Sequence, residues 1–407
     1  MSLQFLDSVP LVVLVGLGSF LAAPLIYTLD KLAVMEDQRW VFMSGVITLP
    51  LFGLLCCVWV RRSPCKKEPL FYVFSIFSFT CVVDLFIALE LDGYVKGFME
   101  FYLREGEPYL RSSYGCLINY WDGTGHFAMY LAMIALMSTG ADYRQLGLYW
   151  VGSIMNSMIV FMPGNWTGNK GIKWSYLLNV PYVVYPIYAG VRFFREGFHL
   201  KKRQFRGKSP VERTVEKFFI AWFSLAILVC MFRMIACMGC KDYITTFYIT
   251  DIEPYLVDPR QYGKTQALAY FYYYIPVFVA VICSLVYDGQ TWIKDWSLLC
   301  AGGTMQGQLV YIWCSLKWST PTEHLVPDTI LARSIFWLVN LSLVIVPHLF
   351  AVYCHRFEIR DKLAPYLSNI QGQSQSLPKQ ASPIRPKKTP PVISETRRVT
   401  RLQKKLL

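Results

Sequence analysis

The sequence predicts an all-α polytopic membrane protein of about ten transmembrane helices, arranged as two four-helix repeats preceded by two further helices. Three observations carry this expectation. Charge is scarce and segregated: 54% of the 407 residues are apolar and 16% aromatic, while only 16% are charged, against roughly a quarter in a soluble chain. A charge at the bilayer centre costs roughly 3 kcal/mol on insertion scales, so a chain that lives in lipid gathers its charges into loops. The apolar runs are each near the ~20 residues that cross the hydrocarbon core. Finally, a set of short motifs occurs twice in the same order.

The runs lie at about 9–29, 40–60, 70–91, 115–137, 146–164, 174–193, 217–239, 265–287, 296–316 and 333–354. They are continuously apolar, not alternating, which predicts helices and excludes the strands of a membrane barrel. The first run has no Lys or Arg before it and is long enough to span, so it reads as a helix and not as a cleavable leader.

Basic residues set the expected orientation. Arg61, Arg62, Lys66 and Lys67 follow the second run. The stretch 195–217 holds eight basic and three acidic residues, and 355–407 holds twelve Lys/Arg against three Asp/Glu. With ten spans all three clusters share one side, the cytosol, which places both termini there. The net charge of +13 therefore faces anionic lipid and gives no reason to expect nucleic acid as a partner. The end of the chain, rich in Ser, Gln, Pro and Lys, predicts disorder, and Lys404 and Lys405 stand where a dilysine retrieval signal of the endoplasmic reticulum would. Asn165-Trp166-Thr167 is a glycosylation sequon near the opposite surface. The twelve cysteines have no zinc spacing; Cys237 and Cys240 read as two soft core residues, a disulfide being the alternative. Nothing in the sequence asks for a metal or a cofactor.

The repeat is read from Glu107-Pro108-Tyr109-Leu110, which recurs as Glu253-Pro254-Tyr255-Leu256, each copy between the first and second helix of its set. Downstream, Gly152-Ser-Ile-Met-Asn156 matches Gly302-Gly-Thr-Met-Gln306, and Pro186 and Pro347 interrupt the fourth helices. The expected organisation is two helices over 1–66, a first repeat over 67–193, a basic loop over 194–216, a second repeat over 217–354 and a basic disordered tail over 355–407. Each copy has an even number of helices, so the repeats are parallel, unlike the inverted repeats common in transporters.

Ionisable residues inside the runs are candidates for function, because they usually face the bundle interior and pair. Asp84, Asp122 and Arg233 each stand six or seven residues from the same surface, roughly 10 Å deep at 1.5 Å per residue. Asn119, Asp122 and His126 sit at i, i+3 and i+7 on one helical face. Ser153, Asn156, Ser157 and Gln306 add polar groups deeper down. Asp84 and Asp122 are read as the polar end of a ligand cavity and Arg233 as a counter-ion within its own repeat. For Ser153, Asn156 and Gln306 interhelical hydrogen bonding is the favoured role; for His126 the two readings are level. Aromatics such as Tyr182, Tyr185, Tyr188 and Trp150 suit the interface belt, and some, with Met155, Met158 and Met305, would suit a cavity for a flat apolar ligand.

Val83-Asp84-Leu85-Phe86-Ile87-Ala88-Leu89, Gly97-Phe98-Met99-Glu100-Phe101-Tyr102, Arg104-Glu105-Gly106-Glu107-Pro108-Tyr109-Leu110, Tyr120-Trp121-Asp122-Gly123, Gly147-Leu148-Tyr149-Trp150-Val151-Gly152-Ser153 and Glu253-Pro254-Tyr255-Leu256 resemble the transmembrane 6 superfamily. The likeness runs from about residue 70 to 354 and is looser in the second repeat. It implies EXPERA-type repeats, shared with the emopamil-binding sterol isomerase and the sigma-2 receptor, residence in the endoplasmic reticulum or another endomembrane, and a part in triglyceride and sterol handling and lipoprotein secretion. Membrane lipids, a sterol-like or cationic amphiphilic ligand and lipid-handling proteins are the partners it implies. The isomerase carries a His and, four residues on, a Glu in the first helix of its unit, with a further Glu in the second. Here those places hold Asp84 and Ala88, and Asp122 matches the second Glu across a short gap. Moving a double bond needs a proton donor and an acceptor, and this set is incomplete. The expectation is a non-catalytic, lipid-binding regulator, with an isomerase-like enzyme and a lipid transporter as alternatives.

Overall fold

The structure, a computed structural model, describes residues 10–32, 37–61, 63–168, 173–198, 209–287, 289–317 and 319–376. Lys404 and Lys405 lie outside them. All regular structure among the described residues is helical. The chain divides into a compact unit over 1–355 and a second unit over 356–407.

Two short helices, α1 (Leu11–Ser19) and α2 (Ala22–Lys31), join end to end, and α3 (Gln38–Val60) follows. The first four-helix set begins with α4 (Pro69–Leu91), then α5 (Ser113–Trp121) and α6 (Phe127–Ser138) joined by a π-helical turn at Asp122–His126, then α7 (Arg144–Thr167) and α8 (Pro181–Phe198). The second set is α9 (Pro210–Cys237), a lone α10 (Tyr243–Asp251), α11 (Tyr262–Ala269) and α12 (Ile275–Val286) joined by a π-helical turn at Tyr270–Tyr274, then α13 (Ile293–Leu316) and α14 (Ile330–Ser376). The order of elements recurs down to the π-turns and to the short 3₁₀ turns at Pro108–Leu110 and Pro254–Val257 that carry the duplicated Glu-Pro-Tyr-Leu.

Among the described residues, seven helical segments are long and apolar enough to cross a membrane. The segments 113–138, 174–198 and 293–316, expected to supply three more spans, are helical but more polar, carrying Asp122 and His126, Arg192, and Asp295 with Gln306. Their polar groups face protein: Asn119, Gln306 and Gln308 are all buried. The outer helices show the reverse pattern, with Ile47, Leu51 and Leu54 of α3 exposed, as suits a lipid-facing helix.

Helix starts follow local chemistry. Glu68 caps α4 by accepting from the Leu70 N–H ahead of Pro69 at the first turn. Ser209 and Glu212 form a reciprocal capping box on α9, and the Asp242 carboxylate accepts from Ile244 and Thr245 to start α10. Gly140 and Gly239, at φ 70° and 88°, turn the chain out of α6 and α9.

The two sets meet along α7 and α13. A Cβ added at Gly152 would overlap the Leu299 carbonyl oxygen, and one at Gly302 the Tyr149 carbonyl. These are the glycines of the duplicated motif, and their missing side chains let the two backbones touch. Four residues on in each helix, Asn156 Nδ2 donates to Gln306 Oε1 at 2.6 Å.

Two expectations are corrected. Helix α14 continues through Ser376, so the start of the segment expected to be a disordered tail is helical: once a helix is nucleated, each added residue gains a backbone hydrogen bond. Asn165 is buried at 3% exposure and accepts a 2.5 Å hydrogen bond from Tyr262, so the sequon is not accessible to a glycan. Cys237 and Cys240 are both free thiols, as the favoured reading has it, with Cys237 buried and Cys240 exposed.

Candidate functional site

A cavity of about 190 Å³ opens in the first set, between α4, α5, α7 and α8, with α2 and α3 closing one side. Its walls are apolar: Phe79, Val83 and Ile87 of α4, Met158 and Phe161 of α7, and Leu25, Leu29 and Leu49 from the leading helices. Its polar end is acidic. Asp84, Glu107 and Asp122 all line it, with Asn119 and Asn179, and Asp30 stands at its edge. Among the described residues none of the lining side chains is Lys, Arg or His.

Local structure places each group. Glu107 belongs to the loop after α4, which folds back under the helices. Glu90 holds that loop by accepting from the Phe98 and Met99 N–H groups at 2.9 and 2.8 Å, and Asp30 of α2 accepts from Phe101 N–H at 3.0 Å. The Glu107 side chain is 4% exposed. Its Oε1 accepts from Tyr109 at 2.6 Å and from Asn179 at 2.7 Å. Burial pushes its carboxyl above the usual range, and the hydrogen bonds from Tyr109, Tyr102 and Asn179 work against that shift. Asp84, about two helical turns below the end of its run, lines the cavity close enough to feel the charges of Asp122 and Glu107, and no hydrogen bond reaches it among the described residues.

Asp122 is held differently. It opens the π-turn, whose Gly123 packs against the backbone of Leu85, leaving no room for a Cβ. His126 Nδ1 lies 2.5 Å from Asp122 Oδ1, and Nε2 lies 2.8 Å from the Ser153 hydroxyl. Trp121 Nε1–H, which can only donate, points at both Ser153 (3.0 Å) and His126 Nε2 (3.3 Å). This geometry suits a ring whose Nε2 accepts and whose Nδ1 faces the Asp122 carboxyl. The π-turn also corrects the expected common face. Its wider i→i+5 spacing leaves Asn119 and Asp122 lining the cavity while His126, 1% exposed, turns behind them into the protein.

The other candidates are elsewhere. Asn156 and Gln306 join α7 to α13, with the Tyr274 hydroxyl donating to Asn156 Oδ1 at 2.9 Å; they stitch the two sets together and do not line the cavity. Arg233 lies in the second set, 2.7 Å from Glu253. Tyr182 and Met158 line the cavity, Tyr185 and Tyr188 are exposed, and Trp150 is buried with its N–H on Tyr130 at 2.9 Å. Glu107, Asn179 and Tyr102 are cavity residues that the sequence did not single out as such, although the duplicated Glu-Pro-Tyr-Leu motif marks Glu107.

Fold and site together define a polytopic membrane protein with an acid-ended apolar cavity. The family model described as "Transmembrane 6 superfamily member 2-like, transmembrane domain" matches residues 21–204. The mouse protein "Transmembrane 6 superfamily member 2" (Mus musculus) is 37% identical over 344 residues, covering 83% of this chain and 90% of that protein. The human protein of the same name (Homo sapiens) is 35% identical over 358 residues, covering 86% and 94%. The chain belongs to the transmembrane 6 superfamily. No solved structure matches it.

Proposed function

We propose that the protein is a regulator of lipid homeostasis in the endoplasmic-reticulum membrane, and that it works by holding a sterol-like or cationic amphiphilic lipid in the cavity of the first helix set without transforming it. The observation that carries this reading is the pairing of apolar walls with three converging carboxylates and no cation among the lining residues. An apolar body would sit among Phe79, Val83 and Phe161, and a positively charged or hydroxyl head would meet Asp84. The incomplete acid–base set, with Ala88 where the isomerase has a Glu, argues against catalysis. The basic clusters after the second, sixth and tenth expected spans support cytosolic termini, and Lys404-Lys405 supports retrieval to the endoplasmic reticulum.

The test is direct binding to purified protein in nanodiscs, with a labelled sterol and a labelled cationic amphiphile. The proposal expects saturable binding of at least one, competed by its unlabelled form. If neither binds, the polar residues are only interhelical hydrogen bonds and the reading fails. Turnover of a sterol double bond that is lost in Asp122→Asn would put the enzyme alternative in its place.

A further inference from the structure

The second helix set carries a buried ion pair that the cavity reading does not use. Arg233 on α9 is 4% exposed and Glu253 is fully buried. Their N–O distance is 2.7 Å. Glu253 Oε1 also accepts from Asn340 Nδ2 at 2.7 Å, and Oε2 accepts from the Tyr311 hydroxyl at 3.0 Å. The guanidinium lies over the Tyr311 ring, its Cζ 4.7 Å from the centroid, and donates to Asn340 Oδ1 at 3.3 Å. A carboxylate, an amide and an aromatic face around one cation make a guanidinium cage, in which the buried Arg233 Nε has no hydrogen-bond partner among the described residues.

The first set repeats the frame of this cage without its cation. Glu107 stands in the same duplicated motif as Glu253 and takes an amide from the fourth segment of its set, Asn179, as Glu253 takes Asn340. The difference is on the first helix, which presents Asp84 near Glu107 where α9 presents Arg233 to Glu253. We infer that the second set holds a cation site of the same design, filled by the chain's own Arg233 as a tethered ligand, and that removing this side chain opens a site for a free guanidinium or small amine. The corollary that one chain takes one external cationic ligand rests on the cavity reading of the first set. The cage itself does not.

Chemical rescue tests it on the full-length protein in detergent micelles. Arg233→Ala should melt well below wild type. Methylguanidinium chloride should raise its melting temperature saturably, while sodium chloride at equal ionic strength should not, and wild type should not respond. The double variant Arg233→Ala/Glu253→Gln should lose the response, because the cage then lacks its carboxylate. If Arg233→Ala folds but shows no methylguanidinium-specific shift, or if the double variant shifts as much, the inference is overturned. Should Arg233→Ala yield folded protein only when solubilised with methylguanidinium, the inference stands. Should it fail under both conditions while the double variant folds, the pair is structural only. These readouts do not involve Asp84, so failure of the first-set cavity would leave them unchanged.

Discussion

The first helix set sets two carboxylates, Asp84 and Glu107, toward an open apolar cavity, whereas the second sets an arginine, Arg233, against a buried glutamate, Glu253. The frame is otherwise alike: the same 3₁₀ turn with Glu-Pro-Tyr-Leu, a π-turn in the second helix, and an asparagine from the fourth segment on the glutamate. On the first helix, one set carries Asp84 beside the cavity and the other carries Arg233 against Glu253. Two leading helices, α2 and α3, wall the open site.

The comparison predicts opposite signs for loss of charge. The largest effect is expected where the sets touch: Gly152→Leu or Gly302→Leu forces a side chain into the facing backbone, and the purified protein should run as aggregate on size-exclusion chromatography. Arg233→Ala comes next. Breaking a buried pair and leaving its partner unpaired costs about 3–5 kcal/mol, and a denaturant unfolding curve should show it. Glu107→Gln is smaller, because Tyr109 and Asn179 both donate to Oε1, whose place an amide oxygen can take; a loss of no more than about 1–3 kcal/mol is expected. Asp84→Asn is smallest and of the other sign. It replaces a carboxyl group that faces no cation among the described residues with an amide of nearly the same size, so unfolding should be unchanged or shifted toward greater stability. If Asp84→Asn destabilises as much as Arg233→Ala, the two sets are not different in the way described.

Much of this was legible before any coordinates. Charge in lipid is costly, so the apolar runs had to be helices and the Lys/Arg had to gather between them. Asp84 and Asp122 shared a depth, and they share a cavity. Gly152 and Gly302, read only as a repeat, mark the closest contact between the sets. Other features depend on tertiary contacts that no local pattern encodes. Glu107 reads as a loop residue until Glu90 and Asp30 fold its loop back against the helices. His126 reads as sharing a face with Asn119 because sequence spacing assumes i→i+4 bonding throughout, and a π-turn at Gly123 and Gly125 breaks it. The sequon at Asn165 looks available until Tyr262, far along the chain, covers it.

The central claim is that the first set receives a positive charge where the second supplies its own. Paired titrations test it most directly: wild type and Asp84→Asn in nanodiscs, each with a cationic amphiphile and with an uncharged analogue of the same shape. A charged hydrogen bond to Asp84 is worth about 1.5–3 kcal/mol, roughly ten- to a hundredfold in Kd. Wild type should prefer the cation by about that factor, and Asp84→Asn should bind both ligands alike at the affinity of the uncharged one. Equal binding of the two ligands by wild type, or an undiminished preference in Asp84→Asn, would contradict the account.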